Sequence, residues 1–133
     1  MSEDYLIDHE RRVKRAIALM VAFTLAAIFS TLLPLFGSLR PPNEALGSWW
    51  QRAGAPITVF AFLAQNKANL LGALLTPGTF TSAPFEALRR KYRLFHSYGF
   101  RISIFLTVLG TLVWGYGDVL INSLMAASMV IAK

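Results

Sequence analysis

The residues able to do chemistry in this 133-residue chain are few, and they sit at the edges of apolar runs. Arg52 opens the apolar stretch that contains Pro56, and Asp118 is the single charge between Ile102 and Ala132. A guanidinium and a carboxylate that meet away from bulk water form a strong contact, so Arg52 and Asp118 are a candidate ion pair. Gln65, Asn66 and Lys67 form the next polar cluster. They read as the cytoplasmic end of a short helix. In a helix running from Gly54 to Thr76, Lys67 would instead lie near a membrane centre at a cost of about 2.5–3.5 kcal/mol. His9 and His96 are conceivable axial haem ligands, but neither lies inside an apolar run, and no cofactor is expected. The chain has no cysteine, which removes thiolate catalysis, iron–sulfur clusters and Cys-based zinc sites. It also lacks a Gly-rich phosphate loop, metal-ligand spacing and a nucleophile–base–acid set. A non-catalytic protein without a metal site is the expectation.

The elements that hold these residues are apolar and long. The chain is 55% hydrophobic and 15% charged, where a soluble domain is nearer 45–50% and about 25%. Ala16 to Leu39 carries no charge, and Arg101 and Asp118 bracket sixteen uncharged residues, Ile102 to Gly117. On a helix those two charges stand about 25 Å apart, close to the thickness of a hydrocarbon core. Trp114 and Tyr116 sit just inside Asp118, where interfacial aromatics collect. The first apolar run is longer than a signal-peptide core and reads as a permanent span. The net charge of +6 flanks apolar spans, so it points to an anionic bilayer surface and not to nucleic acid.

The reading is an all-α integral membrane protein, one membrane domain over residues 1–133. It has spans at about 16–36, 47–66 and 102–121, and a basic amphipathic interfacial helix at about 84–98. Trp49 and Trp50 anchor the second span at the outer interface with Trp114 and Tyr116. In the 84–98 helix, Phe85, Leu88, Tyr92 and Phe95 share a face. Arg89, Arg90, Lys91 and Arg93, with Arg101, would then contact lipid headgroups. Between the second span and that helix, 69–82 is broken by Gly72, Pro77 and Gly78 and is expected to lie at the interface. Ser2 is placed as the cap of a short N-terminal helix. Two ridges of small residues spaced by four, Ala18, Ala22, Ala26 and Ser30 on the first span and Ser103, Thr107, Thr111 and Gly115 on the third, are expected to pack helices together.

Counting basic residues selects the topology. With three spans, ten of them fall on the side of the Arg11–Arg15 collar, and only Arg40, Arg52 and Lys133 on the other. A two-span hairpin would put eight in its outer loop. The positive-inside rule therefore favours three spans with the N-terminus cytoplasmic. In a two-span chain Asp118 would face away from Arg52.

The segments Trp49-Trp50-Gln51-Arg52-Ala53-Gly54 and Gly110-Thr111-Leu112-Val113-Trp114-Gly115-Tyr116-Gly117-Asp118 resemble those of small uncharacterised bacterial inner-membrane proteins. Such proteins pair a W-[FW]-Q-R-[SA]-G segment with a terminal G-T-x-x-W-G-[YF]-G-D segment. The resemblance covers about fifteen residues and implies a bacterial inner membrane, with no activity to carry over. Two functions fit the residues. One is an accessory or scaffold subunit with a membrane-protein partner or a second copy of itself. The other is a self-assembling pore-forming effector, toxin or lysis-type protein, with Thr107, Thr111, Asp118 and Asn122 as its polar strip.

Overall fold

The computed structural model describes residues 3–76 and 83–131, so the expectations for Ser2, for 77–82 and for Lys133 lie outside the described residues. Among the described residues every element is helical: α1 (Glu3–Leu32), α2 (Leu46–Leu75) and α3 (Ala83–Ile131), with two 3₁₀ turns, Leu33–Leu35 and Gly37–Leu39, after α1. α2 lies between the other two and packs against both, most extensively against α3, while α1 and α3 meet only sparingly.

Two of these elements are longer than the sequence signals imply. Gly72 does not break α2, which continues to Leu75. A single Gly costs only about 1 kcal/mol, and here it leaves room for the His96 ring, whose Nε2 would lie 2.6 Å from an added Cβ. The basic amphipathic segment is not a separate interfacial helix either. It forms the first turns of α3, continuous through Gly99 into the apolar run. Its apolar face packs on protein: Tyr92 is buried and Leu88 joins the cluster of Val13, Ala16, Met20, Ala68, Leu71 and Leu75. Phe95 alone of the four remains largely exposed. At about 1.5 Å per residue, α3 is about 74 Å long against about 45 Å for α1 and α2.

The packing period is seven. On α2 the buried positions Gly47, Gly54, Ala61, Ala68 and Leu75 recur at that interval, as do Ile57, Ala64 and Leu71. On α3 the series is Ser103, Gly110 and Gly117, and on α1 it is Val13, Met20 and Ala27, ending at Pro34. A sevenfold repeat keeps one seam turned toward a neighbouring helix through gradual left-handed coiling. The fourfold ridges do not. Four residues turn a helix by about 400°, so each step drifts about 40° around the axis. Ala18 and Ala22 accordingly face outward, Ala26 is half-buried, and only Ser30 reaches the interface. On α3, Ser103 is buried and Thr107 half-buried, but Thr111 is exposed and Gly115 has nothing within 4 Å of an added Cβ.

At the closest approach of α2 and α3, a Cβ on Gly54 would lie 2.3 Å from the Trp114 backbone nitrogen and 2.6 Å from the Gly110 carbonyl. One on Gly110 would lie 2.7 Å from the Thr58 nitrogen. No side chain fits there, which explains why this seam carries glycine.

Candidate functional site

The register of α2 on α3 follows from their contacts. Gly72 faces His96, Gly54 faces Trp114, and Gly117 faces Gln51. In antiparallel helices each residue lost on one is gained on the other, so Lys67 stands opposite Arg101 and Arg52 opposite Tyr116. On the other flank of α2, Arg12 and Arg15 of α1 share a groove with Lys67. Apart from Arg52, the basic residues of the three helices thus gather at one end, and Trp49, Trp50, Trp114, Tyr116 and Asp118 at the other. Trp114 and Tyr116 are exposed on the outside of α3, whereas Trp49 and Trp50 are half-buried against the bundle.

Arg52 and Asp118 are close in level yet do not pair. Arg52 instead meets Glu44 of the preceding loop, with its Nε 2.9 Å from Oε1 and its Nη1 donating to Oε2 at 3.3 Å. Asp118 Oδ1 accepts from the Val119 amide at 2.8 Å. The cause is helical phase. Gln51 is the residue that faces Gly117, and Arg52, one step on, is turned about 100° away. Glu44 sits among loop residues after Pro41-Pro42, and its proximity leaves no sequence signal beyond a carboxylate eight residues before the arginine.

At the basic end the headgroup set divides. Lys91 Nζ lies 3.3 Å from Glu10 Oε1, and Arg89 and Arg90 stand 3.9 and 4.0 Å from Glu86. Arg93 lines a small pocket of about 150 Å³ with Gly72, Thr76, Arg89 and His96. Arg101 is exposed, with no carboxylate within 4 Å among the described residues. Glu10 also accepts from Tyr92 Oη at 3.1 Å and stands 3.2 Å from Lys14 Nζ. Lys14, then Tyr92 and Lys91, hold the Glu10 carboxyl below its ordinary 4.5, while Tyr92 and Glu10 raise Lys91 above 10.5. Sequence reasoning missed Glu10: its i,i+4 partner Lys14 is visible in the linear chain, but Lys91 and Tyr92, some eighty residues on, are not.

Both histidines make contacts within the bundle. His9 Nε2 lies 2.9 Å from the Leu74 carbonyl, one of the last-turn carbonyls of α2 that have no partner within their own helix. His96 stacks on Phe100 with ring centroids 6.2 Å apart. Among the described residues no three His, Asp or Glu side chains converge as a metal site.

Two helices are long and apolar enough to cross a membrane, the one spanning Asp4–Leu35 and the one spanning Ala83–Ile131. No protein-family profile, curated protein or solved structure matches the chain.

Proposed function

We propose that this chain is a three-span, non-catalytic subunit or scaffold of a bacterial inner-membrane assembly, with its basic end cytoplasmic. The observation that carries the subunit reading is the far end of α3. From Ser123 to Ile131 the helix continues past α2 for about 13 Å, with Leu124 65%, Met129 69%, Val130 76% and Ile131 85% exposed. Apolar surface of that extent in a soluble phase or an interface calls for a covering partner.

The spans rest on packing. α1 and α3 run parallel on either side of α2, so if both cross a bilayer, α2 returns between them. The register supports this, since Lys67 and Arg101 mark one boundary and Arg52 and Tyr116 the other. The change in side-chain size along the bundle fits as well. Large apolar residues fill the cluster at the basic end, and small ones, Ala27 and Ala61 with Leu106, fill the middle. Water drives burial of large side chains. Lipid does not, so there backbones gain by close approach across small residues.

The pore reading has less behind it. The Thr107 and Thr111 hydroxyls donate to the Ser103 and Thr107 carbonyls at 2.8 Å, so this strip offers few free polar groups to a water column.

The test uses the cysteine-free background. Single cysteines at Ser38, Ser97 and Ser128 are treated in intact cells with an impermeant thiol reagent. Labelling at Ser38 and protection at Ser97 are expected, and labelling of Ser97 from outside would overturn the topology. After extraction in mild detergent, the chain is expected in a stable complex that Leu124→Lys with Val130→Lys disrupts without loss of helicity. Recovery of the wild type as a monomer alone would end the subunit reading.

A further inference from the structure

The groove between α1 and α2 at the basic end has a composition of its own. Arg12, Arg15 and Leu19 fall on one face of α1, and Lys67, Leu70 and Leu74 fall on one face of α2. The two faces meet over Ala16 to enclose about 350 Å³. Its floor is aliphatic and its polar atoms are cationic. Asp8, 2.9 Å from Arg12 Nε, is the only carboxylate within 4 Å of any of the three cations among the described residues. Arg15 and Lys67 have none. Two unneutralised cations held against leucine side chains at a helix–helix seam lack a counter-ion that the protein does not supply.

We propose that this groove is a site for the phosphate headgroup of an anionic phospholipid. Arg15 and Lys67 bind the phosphate from two helices, Arg12 flanks it, and an acyl chain descends past Leu19. Charge complementarity selects an anion. The apolar side chain below the cations selects one attached to a chain: Leu19 lies one turn deeper than Arg15 on α1, and a soluble phosphate gains nothing from it. Basic pockets between spanning helices on the cytoplasmic side suit such headgroups. The proposal rests on the three-span topology, which puts Lys67 at the membrane boundary and not in bulk water. It also gives Lys67 a role that a cation inside an otherwise apolar helix would lack.

The experiment places the purified full chain in phosphatidylcholine nanodiscs, with a small fluorophore on Leu63→Cys. That position lies one helical turn deeper than Lys67 on the same face of α2. Phosphatidylglycerol with brominated chains is compared with brominated phosphatidylcholine at equal mole fraction, and the excess quenching measures preference for the anionic lipid. A clear excess is expected, and Arg15→Gln with Lys67→Gln is expected to cut the preference by about 30-fold. That corresponds to two basic residues at about 1 kcal/mol each, with 1.4 kcal/mol to a decade. Arg40→Gln, at the opposite end of the bundle, should leave it unchanged. Equal quenching by the two lipids would overturn the site while leaving α2 in contact with the bilayer. Absence of quenching by either would overturn the three-span reading with it. Reversal by millimolar glycerol phosphate would make it a soluble-anion site and overturn the lipid assignment.

Discussion

Arg52 shows how much one residue can do from the wrong side of a helix. Its level was legible, since counting residues from flanking charges gives depth directly, and Asp118 does lie within a turn of it. Its direction was not, because phase is set by which residues pack, and here Gln51 occupies the seam against Gly117. A double-mutant cycle separates the two partners. Glu44→Gln and Arg52→Gln should couple by about 1 kcal/mol, the upper end of the range for solvent-exposed pairs, since the Arg52 side chain is 71% exposed and that of Glu44 only 10%. Arg52→Gln and Asp118→Asn should be additive within error in a thermal melt in detergent. Coupling in the second cycle and not the first would restore the interhelical ion pair.

At the scale of elements, the helical class and the apolar runs were readable from composition and charge spacing, and the seams were not. Small residues are frequent in such helices, so a fourfold series can be drawn through α1 or α3 without marking an interface. The sevenfold series Gly47, Gly54, Ala61, Ala68 is equally visible in the letters, but choosing between periods needs to know that a long neighbour lies alongside. The separate amphipathic helix failed for a related reason. Its apolar face meets protein and not lipid, since Val13, Leu71 and Leu75 supply a surface for Tyr92 and Leu88. The two periods differ in outcome for paired substitutions. Gly54→Ala drives a Cβ into the Trp114 backbone, so the helices must separate, at about 1–3 kcal/mol as for overpacked cores. Gly115→Ala meets nothing within 4 Å and should be neutral or stabilising by up to about 1 kcal/mol through helix propensity. Thermal midpoints in one detergent check both. A destabilising Gly115→Ala beside a silent Gly54→Ala would return the interface to the fourfold ridge.

The whole molecule is held differently at its two ends. Toward the aromatic end, α2 and α3 are joined by backbone proximity across glycines. At the basic end, Glu10 of α1 gathers Lys14, Lys91 and the Tyr92 hydroxyl, which ties the two helices that otherwise meet least. Because the folded Glu10 has a lowered pKa, its contribution is fully present above the unfolded value near 4.5 and is lost as pH falls through the lower folded value. Lys91 acts in the opposite sense. Its raised pKa contributes below 10.5 and is lost as pH rises through the higher folded value. Glu10→Gln should therefore lower the thermal midpoint near neutral pH, and the difference from wild type should shrink steadily below pH 4.5. Because the variant keeps the shape of the carboxyl group, a packing role predicts a small difference that does not vary with pH. A gap that persists unchanged to pH 3 would show that Glu10 joins α1 to α3 through its contacts alone. A gap that closes on acidification would show that the join between these two helices is ionic, and that the basic end of the bundle can loosen while the glycine seam stays shut.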